Sequence, residues 1–154
     1  MSESLSAAER IEIERACERL VYDYSRALDL SDMNAAADFF AENGSLSRPM
    51  MADQVIQGRD TIRASLLTRP KGLLTKHLAS NVRVDVESRD LASGLSYLTM
   101  ISTTPAADAK APFVSAGPIW FGEFKDRFVR ENGVWKFLER RGSIQMKFSG
   151  AGPA

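Results

Sequence analysis

The chain has 154 residues, and its Lys plus Arg (20) balance its Asp plus Glu (20), so the formal net charge is zero. That length suits one domain able to bury a core without disulfides or a structural metal. The neutral balance lacks the basic excess of a nucleic-acid binder, and a lone cysteine, Cys17, excludes an internal disulfide.

The opening residues MSESLSAAER carry no basic start followed by an apolar stretch, so no signal peptide is read. No run approaches the length of a membrane span, and a single thiol fits a reducing compartment. The resulting expectation is a cytoplasmic protein with no nucleic-acid or membrane partner.

A first helix is predicted from about Ser6 to Leu28. Ser6 stands three residues before Glu9, the capping-box spacing. Ile13, Cys17, Leu20, Tyr24 and Leu28 recur at three- and four-residue steps and share one face; on that stripe Cys17 reads as core. After a corner at Asp29 to Asp32, a second helix is expected from Met33 to about Ala41, with Asn43-Gly44 as its stop. Ser45 to Gln57 reads as irregular, a short hairpin or a covering loop. Gly58 opens a third helix, about Arg59 to Leu67, ended by Pro70 and Gly72.

From His77 the period becomes that of a strand. Val82, Val84 and Val86 alternate with Arg83, Asp85 and Glu87. Strands then follow at Leu91 to Thr103, Ile119 to Arg130 and Val134 to Phe148. The first of these gaps, PAADAKAP from Pro105 to Pro112, is loop-like, and Asn132-Gly133 is a type I′ hairpin signal. Three helices ahead of a strand meander predict one α+β domain over residues 1–148, with a tail over 149–154. Apolar residues on both faces of the last strands predict a homodimer through the sheet.

No nucleotide fingerprint, zinc spacing, nucleophile elbow or calcium loop occurs, so no metal and no cofactor are expected. His77, the one histidine, is the only neutral-pH base that is not a carboxylate. Asp29 ends the first helix, where the macrodipole disfavours a carboxylate, and a broken local rule points to function. Bringing the two together has a geometric requirement. If the Val82 to Val86 alternation faces the helices, strict pleating sends His77 outward, so a bulge near Ala79 to Asn81 is needed. A pocket between the first helix and the inner sheet face should be lined by Tyr24, Leu28, Phe40, Met50, Leu66 and Trp120. Contact between Asp29 and His77 inside it would favour an enzyme, and separation across the sheet a binding module.

The segments YDYSRALDLSDMNAAADFFAENGSL, the G-R-D-T-I-R helix start, TKHLASNVRVDV and VRENGVWKFLERR occur in an order that resembles the SnoaL-like branch of the nuclear transport factor 2-like superfamily, and within it the scytalone dehydratase-like proteins. The resemblance implies helices packed on a strongly curved mixed or antiparallel sheet, a cone with an internal pocket, and frequent homodimers. By position Asp29 and His77 match the catalytic Asp and the first catalytic His of scytalone dehydratases. Leu28 stands where a tyrosine is expected, Arg48 falls at the second tyrosine and Ser102 at the second histidine. With half of the set replaced, Arg48 and Ser102 become substrate-binding candidates, and scytalone itself is not the expected substrate. The reading is a cofactor-independent lyase or isomerase moving protons on a small apolar ring or polyketide-like compound. The alternatives are a non-catalytic binding or structural subunit, like the small subunits of ring-hydroxylating dioxygenases, or hydrolysis of an epoxide by water held on Asp29 with help from Arg48 or Arg63.

Overall fold

A computed structural model describes residues 4–149. Apart from Ser149, the tail expected over 149–154 lies outside the described residues. Helix α1 (Ala7–Asp29) starts as its capping box requires: the Ser6 hydroxyl accepts from the Glu9 N–H at 3.2 Å, and the Glu9 carboxylate accepts from the Ser6 N–H at 2.8 Å. Its stripe of Ile13, Cys17, Leu20 and Tyr24 is buried, and burial pushes the Cys17 thiol up to about 12, leaving it a protonated core group. Helix α2 (Met33–Asp38) is capped by Asp32, whose carboxylate accepts from the Ala35 N–H at 3.0 Å. Strand β1 (Phe40–Ser47), a 3₁₀ turn (Pro49–Met51), strand β2 (Ile56–Gln57) and helix α3 (Arg59–Leu66) follow. Four long strands follow: β3 (Leu74–Val86), β4 (Leu91–Thr103), β5 (Ile119–Glu131) and β6 (Val134–Phe148).

Among the described residues, six strands form one mixed sheet that does not close, ordered β2-β1-β6-β5-β4-β3. Among these strands β1 and β6 pair in parallel, and the other neighbours are antiparallel. The Asn132-Gly133 turn takes positive φ at both residues, 50° and 81°, as the hairpin between β5 and β6 demands.

The expected second helix is too long by three residues. It ends at Asp38, and Phe40 to Ser47, including Asn43-Gly44, are strand. The cause is β6: the Phe137 N–H donates to the Phe39 carbonyl at 2.9 Å and draws the chain into the sheet. Gly44 is there for close approach, since a Cβ would stand 2.9 Å from the carbonyl oxygens of Ala41 and Phe137. Phe40 is consequently a core residue. Its ring lies 5.7 Å from that of Tyr24 and 5.3 Å from that of Phe137.

Strand β3 changes register against β4 between Ser80 and Arg83, and Asn81 there has φ of 50°. This is the bulge that the two halves of the strand require. Before it Thr75, His77 and Ala79 face inward while Lys76, Leu78 and Ser80 are exposed; after it Val82, Val84 and Val86 face inward. The extra residue resets the alternation so that a polar inner row and an apolar one share a single face.

The interior also holds an ion pair that pattern reading missed. Arg140 and Asp126 are buried, with Nη1 2.9 Å from Oδ2, and the guanidinium lies 3.8 Å from the Phe124 ring centroid and 4.4 Å from that of Phe137. Burial pushes Asp126 up to about 6 against the opposing pull of Arg140.

Candidate active site

Asp29 ends α1, and its carboxylate meets β3 where that strand begins. Its Oδ1 lies 2.6 Å from His77 Nδ1. The His77 backbone N–H donates to Oδ2 at 3.0 Å, and the Thr75 hydroxyl donates to Oδ1 at 3.0 Å. Thr75 and His77 sit two apart on one strand, so both point at the helix end. These donors replace what the helix terminus cannot offer an anion. Burial alone would raise the Asp29 carboxyl, but its bonds to His77 and Thr75 outweigh burial and hold it below its ordinary value. An ionised Asp29 accepts from Nδ1–H, which fixes the imidazole proton on Nδ1 and leaves Nε2 as a free acceptor.

His77 borders a cavity of about 290 Å³ whose wall is mostly apolar. Of the residues expected there, Tyr24, Leu28, Arg48, Met50, Leu66 and Ser102 do line it. Phe40 and Trp120 do not. Phe40 is displaced into the core with β1. Trp120 shares the cross-strand row of His77 and Met100, but it lies two strands from His77, under the Lys147 ammonium 5.6 Å from its ring centroid. Burial raises the Tyr24 phenol above its ordinary value despite the nearby Arg140 and Arg48, so the lining hydroxyl stays protonated. Arg63 is spoken for elsewhere, with Nη2 2.7 Å from Asp38, and plays no part in the wall.

Sequence reading missed Thr75 and Arg69. Thr75 carried a usable signal, since T-x-H on a strand puts both side chains on one face. Arg69, just past α3, carried none; it reaches the cavity because its Nη2 donates to the Leu73 carbonyl at 3.1 Å and to Thr75 Oγ1 at 2.7 Å. Ser25 and His77 also border a shallow outer groove with Arg26 and Lys76, so the Asp29–His77 pair stands between the cavity and solvent. Among the described residues no cluster of metal-ligating side chains occurs, and no helix is long and apolar enough to cross a membrane.

Three helices on an open six-stranded mixed sheet, with a carboxylate–imidazole pair at the edge of an internal cavity, place the chain in the nuclear transport factor 2-like fold. Residues 9–141 match the SnoaL-like domain, and the chain belongs to that family. A provisionally assigned scytalone dehydratase from Novosphingobium aromaticivorans is 25% identical, with 97% of this chain and 95% of that one covered at a TM-score of 0.78. A Mycobacterium tuberculosis protein of unknown function is also 25% identical, over 88% of this chain and 77% of that one, at 0.68. A type 2 hexachlorocyclohexane dehydrochlorinase (LinA) shares the fold at 16% identity, over 96% and 95% of the chains, at 0.77. No curated protein matches.

Proposed function

We propose that the protein is a cofactor-independent lyase or isomerase that moves protons on a small, largely apolar ring or polyketide-like compound. The observation that carries this reading is the contact of 2.6 Å between Asp29 and His77 at the wall of the cavity. His77 Nε2 takes a proton from a carbon next to a carbonyl: the C–H bond breaks, the N–H bond forms, and the electron pair passes into an enolate. Asp29 holds the ring in place and stabilises the imidazolium. In a dehydration, the enolate then expels a β-hydroxyl, which takes the proton from Nε2 and leaves as water. In an isomerisation the proton returns to another carbon. The protonated Tyr24 hydroxyl and Ser102 can orient the oxygens of the bound compound, and the outer groove beside Ser25 gives the pair a route for exchange with solvent.

The family and the two enzyme-named neighbours in structure support lyase-type chemistry in general; the ring compound is inferred from the volume and apolar lining of the cavity. The test is a screen of small hydroxy-ketones and aromatic polyols, followed by His77→Ala on any compound turned over. Loss of turnover in a variant that still unfolds cooperatively, with a melting temperature above the assay temperature, supports the reading. A His77→Ala variant that keeps the rate overturns it, and binding without turnover across the screen moves the protein to a binding module.

A further inference from the structure

Two arginines border the cavity, and neither has a carboxylate within ion-pair distance among the described residues. Arg48 donates through Nη2 to Ser65, to its carbonyl and, at 2.7 Å, to its hydroxyl. Arg69 donates through Nη2 to Leu73 and Thr75. All of these acceptors are neutral. Nε of both guanidinium groups is buried with no hydrogen-bond partner among the described residues, as is Nε of the paired Arg140, so the missing carboxylate is what sets the two apart; among the described residues no acidic side chain lines the cavity. The chain deals differently with its deeper cation: Arg140 has its own carboxylate, Asp126, at 2.9 Å. A desolvated guanidinium is costly unless it is paired, and burial pulls Arg69 below its ordinary value with only the charge of Asp29, reached through Thr75, opposing.

The local charge balance follows. With a neutral His77, Asp29 offsets one of the two arginines, and one positive charge is left facing an apolar space. We propose that the ligand of this cavity is a monoanion, a one- or two-ring compound bearing a carboxylate that lies against Arg48 and Arg69. The inference rests on the proposed function, because it names the substrate class of the same site. A carboxylate matches a guanidinium in charge and planarity, and guanidinium forks take it in bidentate fashion. It also has a use in the proposed chemistry: an anchored anionic end would fix the ring, so that one C–H faces His77 Nε2.

The test is calorimetric titration of the full chain with three matched pairs of acid and primary amide: benzoate with benzamide, 2-naphthoate with 2-naphthamide, and biphenyl-4-carboxylate with its amide. At least one acid should bind about 10- to 100-fold more tightly than its amide, the range of charged hydrogen bonds at a desolvated site. Arg48→Gln and Arg69→Gln should each erase that preference, weakening the acid far more than the amide. Arg48→Lys, which keeps the charge, should retain part of it and guards against a folding defect at Ser65. The absence of an acid preference in all three pairs, or a preference that survives both Gln variants, overturns the proposal. The measurement needs no turnover. A neutral compound turned over through His77 would sink the anion inference alone, and an acid preference with no turnover would sink only the enzymatic reading.

Discussion

Asp29→Asn isolates the charge of the pair while keeping its shape. The carboxylate now accepts from three donors, the His77 N–H at 3.0 Å, His77 Nδ1–H at 2.6 Å and the Thr75 hydroxyl at 3.0 Å. An amide has one acceptor oxygen and must turn its NH₂ toward one of the three. The least costly answer is for the imidazole to move its proton to Nε2, so that Nδ1 accepts from the new NH₂. That removes the free acceptor from the cavity and the charge that would stabilise imidazolium. Loss of the charged hydrogen bonds should cost about 1–3 kcal/mol of stability, and turnover should fall on the order of 10⁴-fold. Because His77 is the only histidine, ring ¹⁵N NMR reads its tautomer without assignment: Nδ1–H in the native protein and Nε2–H in the variant. The pH dependence has a definite sign. A carboxyl held below its ordinary value contributes stability that is present above the unfolded value, near 3.9, and is lost as pH falls through the folded one. The stability gap between native protein and variant should therefore close below about pH 4. An unchanged tautomer, or a gap that persists at low pH, would refute the assigned role of Asp29.

Three further outcomes are expected. Asn81→Val places a β-branched side chain at φ of 50° and should cost about 1–2 kcal/mol by chemical denaturation, whereas Asn81→Gly should be near neutral; equal effects would mean that the bulge is not under backbone constraint. Arg140→Met strands the buried Asp126 carboxyl and should cost about 3 kcal/mol, while Arg140→Met with Asp126→Leu should return close to native stability; a double variant as unstable as the single one would contradict this. On the outer face of the sheet, Leu78, Thr99, Phe121 and Met146 form one row across β3 to β6, with Leu78 and Met146 exposed. Sedimentation at micromolar concentration should give twice the chain mass of 17.0 kDa, and a single-chain species would rule out the sheet-to-sheet dimer.

Local signals determined a great deal by themselves. The Ser6–Glu9 box, the stripe from Ile13 to Leu28, the Asn132-Gly133 turn and the alternating strands depend on interactions within a few residues, and each lies where pattern places it. Asp29 was legible because a carboxylate at a helix C-terminus breaks a local rule. His77 stood out as the only histidine. Even the bulge was legible as a requirement, since period-two alternation cannot put both His77 and Val82 on one face. Tertiary structure decided what depends on partners remote in the chain. Phe40 left a helical pattern for a strand because β6, nearly a hundred residues later, offered its backbone. Arg140 took a buried position because Asp126 on the neighbouring strand and three aromatic rings stabilise it there. Arg69 became a cavity residue only when the start of β3 supplied Thr75. Helix caps and turns are settled by neighbours in sequence, whereas the burial of a charge is settled by whatever the fold brings against it. For that reason the Asp29–His77 pair could be anticipated, and the two cations facing the cavity could not both be.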